Sequence, residues 1–164
     1  MSEVPWLDAI NIGDTFFSEE EIEVTEEEIM AFAELYDPQP GHLSQETALS
    51  TGFAGLAASG WHTAAMTMQL LCQIGFVDTI GLDVCLAWPT PTRPGDRLRL
   101  QGRITSKRES ASRPGTGILG IQYETLNQDG EIRQSTKATL MAQSSFSVSL
   151  QREYCLEDSE NQVA

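Results

Sequence analysis

The stretch 59–74, SGWHTAAMTMQLLCQI, is the feature that most constrains the fold of this 164-residue chain. It contains no Asp, Glu, Lys or Arg and is apolar on most sides, which is typical of a helix buried all round inside a sheet. At about 15 residues it is too short to span a bilayer comfortably. We therefore expect a domain built around this helix.

The residues that follow Gly81 change to an alternating hydrophobic pattern, which predicts β-strands. The sequence Asn-Gln-Asp-Gly at 127–130 predicts a tight hairpin turn between the last two strands. An earlier strand is expected near the N-terminus, and residues 144–150 are typical of an edge strand or a partner contact. The predicted strands are 16–24, 84–88, 97–107, 118–126 and 132–142.

Two shorter helices are predicted from capping residues. Thr25, followed three residues later by Glu28, forms a capping box and predicts a helix over 26–35. Ser44 can cap a short helix that runs to about Leu49. Between them, Pro38 and Pro40 remove amide donors, so we expect residues 36–42 to form a stiff, non-repetitive loop.

Composition and charge narrow the function classes. With 40% hydrophobic and 21% charged residues, the chain fits one globular domain with its own core. Ten Lys and Arg against 24 Asp and Glu give a net charge of -14, which disfavours binding to nucleic acid or an anionic membrane. Seven of the ten cations fall within residues 93–113, so any polyanionic ligand is expected there.

Cysteine usage and the N-terminus favour a reduced, cytoplasmic setting. The chain starts with no signal-peptide pattern, and its three cysteines lack CxxC spacing. Cys72 and Cys85 are expected to be small core hydrophobes. With only two histidines and no cysteine cluster, a structural metal site is not expected.

Asp37 and His42 are the residues best suited to acid/base chemistry. They lie five residues apart in the predicted rigid loop, and such bracing keeps two catalytic groups near one reacting water. Gly60 lies at the predicted start of the central helix, where free N–H groups can polarise a carbonyl oxygen. The alternatives are an Asx-turn at Asp37 beside a surface histidine and a packing or capping role for Gly60.

These residues resemble those of a known family. The loop DPQPGH is similar to the D-x-N-P-x-H loop of MaoC-like (R)-specific enoyl-CoA hydratases, and FAGLAASGWHTA resembles the segment leading into their central helix. RPGD at 93–96 and LNQDGE at 126–131 extend the resemblance over residues 13–142. It implies an α+β fold, a single hotdog domain whose antiparallel sheet wraps around a long helix. We expect this domain over residues 1–150, an acidic and mobile tail over 151–164, and a homodimer.

The resemblance also implies a reaction. Asp37 and His42 would activate water for addition to a trans-2-enoyl thioester, and the Gly60 amide would hold the thioester oxygen, with Ser59 and Gln39 as further substrate-binding residues. The protein would then be a hydro-lyase of fatty acid metabolism acting on acyl-CoA or an acyl carrier protein thioester, with no metal or redox cofactor. Two alternatives are an acyl-CoA thioesterase and a non-catalytic acyl-CoA-binding module.

Several residues depart from the family pattern or have two interpretations. Gln39 replaces Asn and could shift hydrogen bonds in the loop, Gly41 replaces a bulkier apolar residue and could loosen the loop or widen the pocket, and Met68 replaces a serine. The cationic stretch is either a landing site for the phosphates of coenzyme A or the solvated face of strands. Its candidate phosphate contacts are Arg93, Arg97, Arg103, Lys107 and Arg108.

Overall fold

A computed structural model describes residues 4–143, 146–148, 150 and 151. The predicted tail from residue 152 onward, and residues 144, 145 and 149 of the predicted last strand, lie outside the described residues. The helices are α1 (Pro5–Asp8), α2 (Glu26–Tyr36), α3 (Pro40–Leu43), α4 (Gln45–Ala48) and α5 (Gly60–Ile74). The strands are β1 (Thr15–Phe17), β2 (Ile22–Glu23), β3 (Thr79–Ala87), β4 (Arg97–Glu109), β5 (Gly117–Leu126) and β6 (Ile132–Ala142).

The strands form one antiparallel sheet in the order β1-β4-β5-β6-β3, with β2 also paired to β4. The hairpin between β5 and β6 turns at residues 127–130 as predicted, and Gly130 has a φ of 79°, a conformation that glycine adopts without a steric cost. Strand β2 pairs with β4, whereas the next strand, β3, pairs with β6 at the far edge of the sheet. Helix α5 is part of the connection between these two strands.

Helix α5 packs against this sheet through β4 and β6, and its inward side forms much of the core. Leu70 is fully buried there, close to buried Leu119 and Ile121 of β5. The helix also carries buried threonines that bond to strands and loops: Thr67 Oγ1 lies 2.8 Å from Thr125 Oγ1, and Thr63 Oγ1 donates to Thr92 Oγ1. The architecture is the α+β hotdog domain expected from the sequence.

The predicted strand 16–24 is wrong as one element. It divides into β1 and β2, since Phe17 pairs with Gln101 while Ile22 pairs with Leu98, and this register leaves an excursion between them. Three consecutive glutamates, 19–21, occupy the excursion. Adjacent like charges favour an exposed bend over a continued ladder, which explains the break.

The expectation that α5 is buried all round is also wrong for the protomer. Trp61 and Met68 are 62% and 53% exposed, and Cys72 is exposed on the same side of the helix. Cys85 is exposed on the edge strand β3, so neither cysteine is a core residue of the protomer. The sheet and α2 cover only part of the helix surface, and an apolar face beside β3 is left open.

Two smaller differences concern residues near the chain's loops. The stretch 36–42 is not wholly irregular, because Pro40 begins the one-turn helix α3; proline fits a first helical position, where no amide donor is needed. Near the C-terminus, the described residues 146–148 are not a strand. Phe146 packs against Trp6 and Phe76 of the protomer's own core instead.

No helix in the described part of the chain is both long and apolar enough to cross a membrane.

Candidate active site

Helices α2 and α3 bring Asp37 and His42 together. The capping box of Thr25 and Glu28 starts α2, and Asp37 ends it as the C-cap residue. Pro38 then prevents a further helical turn, and Pro40 starts α3, which carries His42. The two side chains approach each other, with Asp37 Oδ2 lying 3.7 Å from His42 Nε2.

The Asp37 carboxylate is held by two short hydrogen bonds. Ser59 Oγ donates to Oδ2 and Gln39 Nε2 donates to Oδ1, each at 2.6 Å. Because these donors stabilise the charged form, the Ser59 hydrogen bond first and the Gln39 hydrogen bond second hold the pKa of Asp37 below its ordinary value. Asp37 is therefore an anion at neutral pH, and the longer amide of Gln39 binds it directly.

The His42 ring is buried and has its tautomer fixed by the backbone. Its Nδ1 lies 2.7 Å from the carbonyl oxygen of Ala57. Since a carbonyl only accepts, Nδ1 carries the proton and donates it. In the neutral ring Nε2 is then unprotonated, and it lies 3.7 Å from Asp37 Oδ2. The arrangement can accept a proton from a molecule bound between the two groups.

The N-terminus of α5 adds unpaired donors to the site. Ser59 caps the helix, its Oγ accepting from the Trp61 N–H at 3.2 Å while donating to Asp37. In the described part of the chain the Gly60 N–H has no hydrogen-bond partner. A free amide at a helix start favours a negative oxygen. The Trp88 ring also covers Gly60, where a Cβ would lie 2.8 Å from Cδ2 and Cε2 of that ring.

Gly41 neither loosens the loop nor widens the pocket, contrary to the sequence-based expectation. A Cβ at Gly41 would lie 2.5 Å from Cδ2 of Phe53, so the Phe53 ring fills the space of the missing side chain. The same ring lies on His42, with centroids 5.2 Å apart. Gly41 thus permits an aromatic ring to pack against the candidate catalytic imidazole.

Arg93 holds the segment that presents Phe53. Its guanidinium donates to the carbonyl oxygens of Phe53, Gly55 and Leu56. The backbone there is unusual, since Ala54 has a φ of 53° and Gly55 one of 137°. Because left-handed backbone costs free energy for a residue with a side chain, these three bonds stabilise a conformation that the segment would not adopt alone.

The site opens into a cavity of about 400 Å³, which we call the Asp37–His42 cavity. Asp37, His42, Gln39, Ser59 and Gly60 all line it, so the structure brings these five predicted residues together. The sequence reasoning did not assign the other residues to the site. They are Phe53, Ala58, Trp61, Thr63, Trp88, Thr90, Pro91, Thr92 and Arg133.

Two of these residues, Trp88 and Arg133, could not be placed at the site from sequence patterns. Trp88 follows strand β3 and its ring packs against Gly60 in the cavity wall, which no local pattern reveals. Arg133 is 7% exposed and forms a two-point ion pair with Asp96, with Nε–Oδ2 at 2.8 Å and Nη2–Oδ1 at 3.0 Å. That arginine is part of the cavity wall, its charge balanced by Asp96 and Glu131.

The predicted phosphate contacts lie outside the Asp37–His42 cavity of the protomer. Arg93 holds the Phe53 segment, Lys107 Nζ donates to the carbonyls of Leu7 and Ile10, and Arg97 pairs with Glu21 at 3.1 Å. Arg103 and Arg108 are exposed on β4. Among the described residues, no three His, Cys, Asp or Glu side chains cluster as metal ligands.

Known proteins with similar sequences and structures place this chain in a family. Residues 9–122 match the model of the MaoC like domain. A solved MaoC-like dehydratase from Rhodospirillum rubrum is 44% identical, with a TM-score of 0.78 over 84% of this chain and 95% of that one. An (R)-hydratase from A. caviae, involved in PHA biosynthesis, shares the fold at 22% identity, with a TM-score of 0.65 over 80% of this chain and 96% of its own.

A curated relative also matches most of the chain. The uncharacterized protein YdeM of Bacillus subtilis (strain 168) is 31% identical over 129 residues, which is 74% of this chain and 87% of that protein. The match to the family spans most of the chain and includes α2 through α5, the elements that carry Asp37, His42 and Gly60. The chain belongs to the MaoC-like domain family.

Proposed function

We propose that this protein is a hydro-lyase that interconverts trans-2-enoyl-CoA and (R)-3-hydroxyacyl-CoA. The observation that carries the proposal is the pairing of Asp37 with His42, whose tautomer leaves Nε2 unprotonated 3.7 Å from the carboxylate. His42 Nε2, as a base, and the Asp37 carboxylate, as an anion, can together bind one water molecule between them. The names of the similar dehydratase and (R)-hydratase support the reaction class.

In the hydration direction, His42 Nε2 takes a proton from water while the Asp37 carboxylate accepts a hydrogen bond from the second O–H. The water oxygen then bonds to C3 of the enoyl group, and the double-bond electrons move onto the thioester oxygen. The Gly60 N–H, at the positive end of α5, stabilises that enolate. The His42 imidazolium finally gives the proton to C2, so one water is added and the imidazole is restored.

The reaction as written uses no metal ion and no redox cofactor, and coenzyme A enters only as part of the substrate. Ser59 and Gln39 act through Asp37, because their hydrogen bonds orient the carboxylate and keep it ionised. The alternative acyl carrier is an acidic carrier protein, for which exposed Arg103 and Arg108 offer opposite charge. Contacts of the five cations with CoA phosphates stay a prediction.

We further propose a homodimer formed through the exposed apolar face of α5 and β3. Trp61 and Met68 of α5 and Val84 of β3 are each about half exposed or more on this face, and Ile80 and Leu82 are about half exposed along the β3 edge. Contiguous apolar surface of this kind is characteristic of a protein interface. In the sheet order β3 has one unpaired edge, which a second copy can extend. Trp61 also lines the Asp37–His42 cavity, so the interface would adjoin the site.

The test is to give the purified protein crotonyl-CoA and butyryl-CoA in parallel. Hydration predicts loss of the ultraviolet absorbance of the conjugated enoyl thioester, with no thiol detected by a thiol-reactive dye. Release of thiol from either compound would instead identify a thioesterase. Binding of butyryl-CoA in calorimetry without turnover of either compound would identify a non-catalytic module, and both of these results would refute the proposal.

A further inference from the structure

A second cavity lies one helical turn beyond the Asp37–His42 cavity. It is an apolar groove of about 390 Å³ between α5 and the sheet, and we call it the apolar groove. Ala64 and Met68 of α5 line it, whereas Gly60, Trp61 and Thr63 of the preceding turn line the Asp37–His42 cavity. The groove's floor consists of core side chains of β5 and β6, namely Ile121, Tyr123, Ala138 and Leu140.

The side chain of Trp88 stands where the two cavities meet. It lines the Asp37–His42 cavity, and its indole Nε1–H donates to Gln134 Oε1 at 2.9 Å. Gln134 in turn lines the apolar groove. Two residues before Trp88, Leu86 also lines that groove. The Trp88–Gln134 pair therefore separates the polar site from the apolar space behind it.

Contacts on several sides fix the orientation of the Trp88 ring. It packs against Gly60, and it meets the Trp61 ring edge-on with centroids 5.4 Å apart and an interplanar angle of 75°. Gln134 is 1% exposed and donates its own Nε2 to Thr136 Oγ1 at 3.1 Å, so the acceptor of the indole bond is itself held in place. Rotating the indole away would leave the Gln134 oxygen buried without its donor.

We infer that Trp88 is a specificity-determining residue that restricts the substrate to short-chain enoyl thioesters. The inference rests on the proposed function, which puts the thioester oxygen at the Gly60 amide. Because the indole covers Gly60, an acyl chain held there meets the Trp88–Gln134 pair before it can reach the apolar groove. A short chain fits in front of the ring, whereas a long chain must displace it.

Removing the ring opens the apolar groove to the acyl chain. Each methylene that then leaves water for apolar surroundings is worth about 0.8 kcal/mol, or roughly fourfold in binding. The gain grows with every added carbon until the groove is filled. A variant without the indole is thus expected to prefer longer chains and not simply to lose activity.

The experiment compares kcat/KM for four-, eight- and twelve-carbon trans-2-enoyl-CoAs in the wild type, Trp88→Ala and Trp88→Phe. We expect the wild type to favour the four-carbon substrate and Trp88→Ala to raise the ratio of eight-carbon to four-carbon kcat/KM by tenfold or more. Trp88→Phe keeps a ring over Gly60 and should retain the short-chain preference. A wild-type profile that is flat with chain length, or an unchanged ratio in Trp88→Ala, would overturn the inference.

Binding separates this inference from the proposed reaction. Calorimetry with butyryl-CoA and octanoyl-CoA measures chain-length preference without turnover, and Trp88→Ala should gain affinity for octanoyl-CoA alone. No hydration of any enoyl-CoA by the wild type would refute the proposed function, whereas hydration with no length preference would refute only the role of Trp88. If Trp88→Ala does not fold, Trp88→Leu, which also removes the aromatic ring, takes its place, and an unchanged chain-length profile in that variant would overturn the inference.

Discussion

At the scale of single residues, Ser59 links the start of α5 to the candidate acid/base pair. Its hydroxyl caps the helix through the Trp61 N–H and at the same time donates to Asp37 at 2.6 Å. A hydrogen bond to a charged group contributes about 1.5–3 kcal/mol, which is more than a bond between two neutral groups contributes. The Ser59 bond therefore stabilises the ionised form of Asp37 more than its protonated form. The pKa of Asp37 is lowered by that bond above all others.

Replacing Ser59 by Ala should therefore raise the pKa of Asp37 toward its ordinary value of 3.8. The Asp37 carboxyl carbon, followed by NMR as the pH is lowered, should therefore take up its proton at higher pH in Ser59→Ala than in the wild type. Ser44→Ala is the matched control, because Ser44 caps α4 through the Thr47 N–H and does not contact Asp37. An Asp37 pKa that is the same in Ser59→Ala as in the wild type would contradict the role of Ser59.

Sequence reasoning at this scale worked where the chain itself holds residues together. Asp37 and His42 are separated by a short loop that two prolines restrict, so their proximity was predictable from the sequence. Trp88 and Arg133 come to the site from β3 and β6, and only the folded sheet places them opposite α5. The Phe53 ring on His42 could not be predicted either, since it depends on the Arg93 bonds to a left-handed segment.

At the scale of elements, strand β6 and helix α5 closely match their predicted bounds. Local capping and periodicity specify such elements, because Ser59 caps α5 and Gly75, with a φ of 113°, ends it. The sequence pattern could not show how much of each element's surface is buried by the rest of the protomer. A charge-free helix was expected to be buried all round, and the structure leaves its Trp61, Met68 and Cys72 side exposed beside β3.

The exposed face predicts the behaviour of a double variant, Ile80→Glu with Leu82→Glu. In the proposed homodimer these carboxylates from both copies would be desolvated near one another, so the dimer should dissociate to monomers at micromolar concentration. Light scattering coupled to size-exclusion chromatography measures the mass. The control, Ile12→Glu with Leu49→Glu, changes two residues of similar exposure away from β3 and should stay dimeric. A wild type that is monomeric, or a β3 variant that stays dimeric, would contradict the proposed interface.

At the scale of the whole molecule, the basic residues are confined to the later part of the chain. Residues 4–92, which form α2, α3 and α5, contain no Lys or Arg, so within these residues no cation competes with the carboxylate of Asp37. Three of the seven cations of 93–113 are held by the fold itself, since Arg93 and Lys107 bind backbone carbonyls and Arg97 pairs with Glu21. The charge pattern therefore predicted that α2, α3 and α5 bring no cation to the site, whereas Arg133 of β6 does line the cavity.

The hotdog architecture then explains why so few residues carry the proposed reaction. The sheet holds α5 in place through Thr63, Thr67 and the core, and the helix N-terminus presents Gly60 to the same cavity that Asp37 and His42 face. Positions fixed by several elements change little during a reaction, which is what electrostatic stabilisation of an enolate requires. The central claim is thus that the Asp37–His42 pair performs the addition of water within this frame.

The most direct test of that claim is the rate of crotonyl-CoA hydration in Asp37→Asn and His42→Gln, measured by loss of enoyl absorbance beside the wild type. Asp37→Asn removes the anion and His42→Gln removes the base, while both substitutions nearly conserve size. Because positioned acid/base groups contribute roughly 10²–10⁴-fold, each variant should fall by at least about a hundredfold with its circular dichroism unchanged. Wild-type turnover in either folded variant would contradict the account.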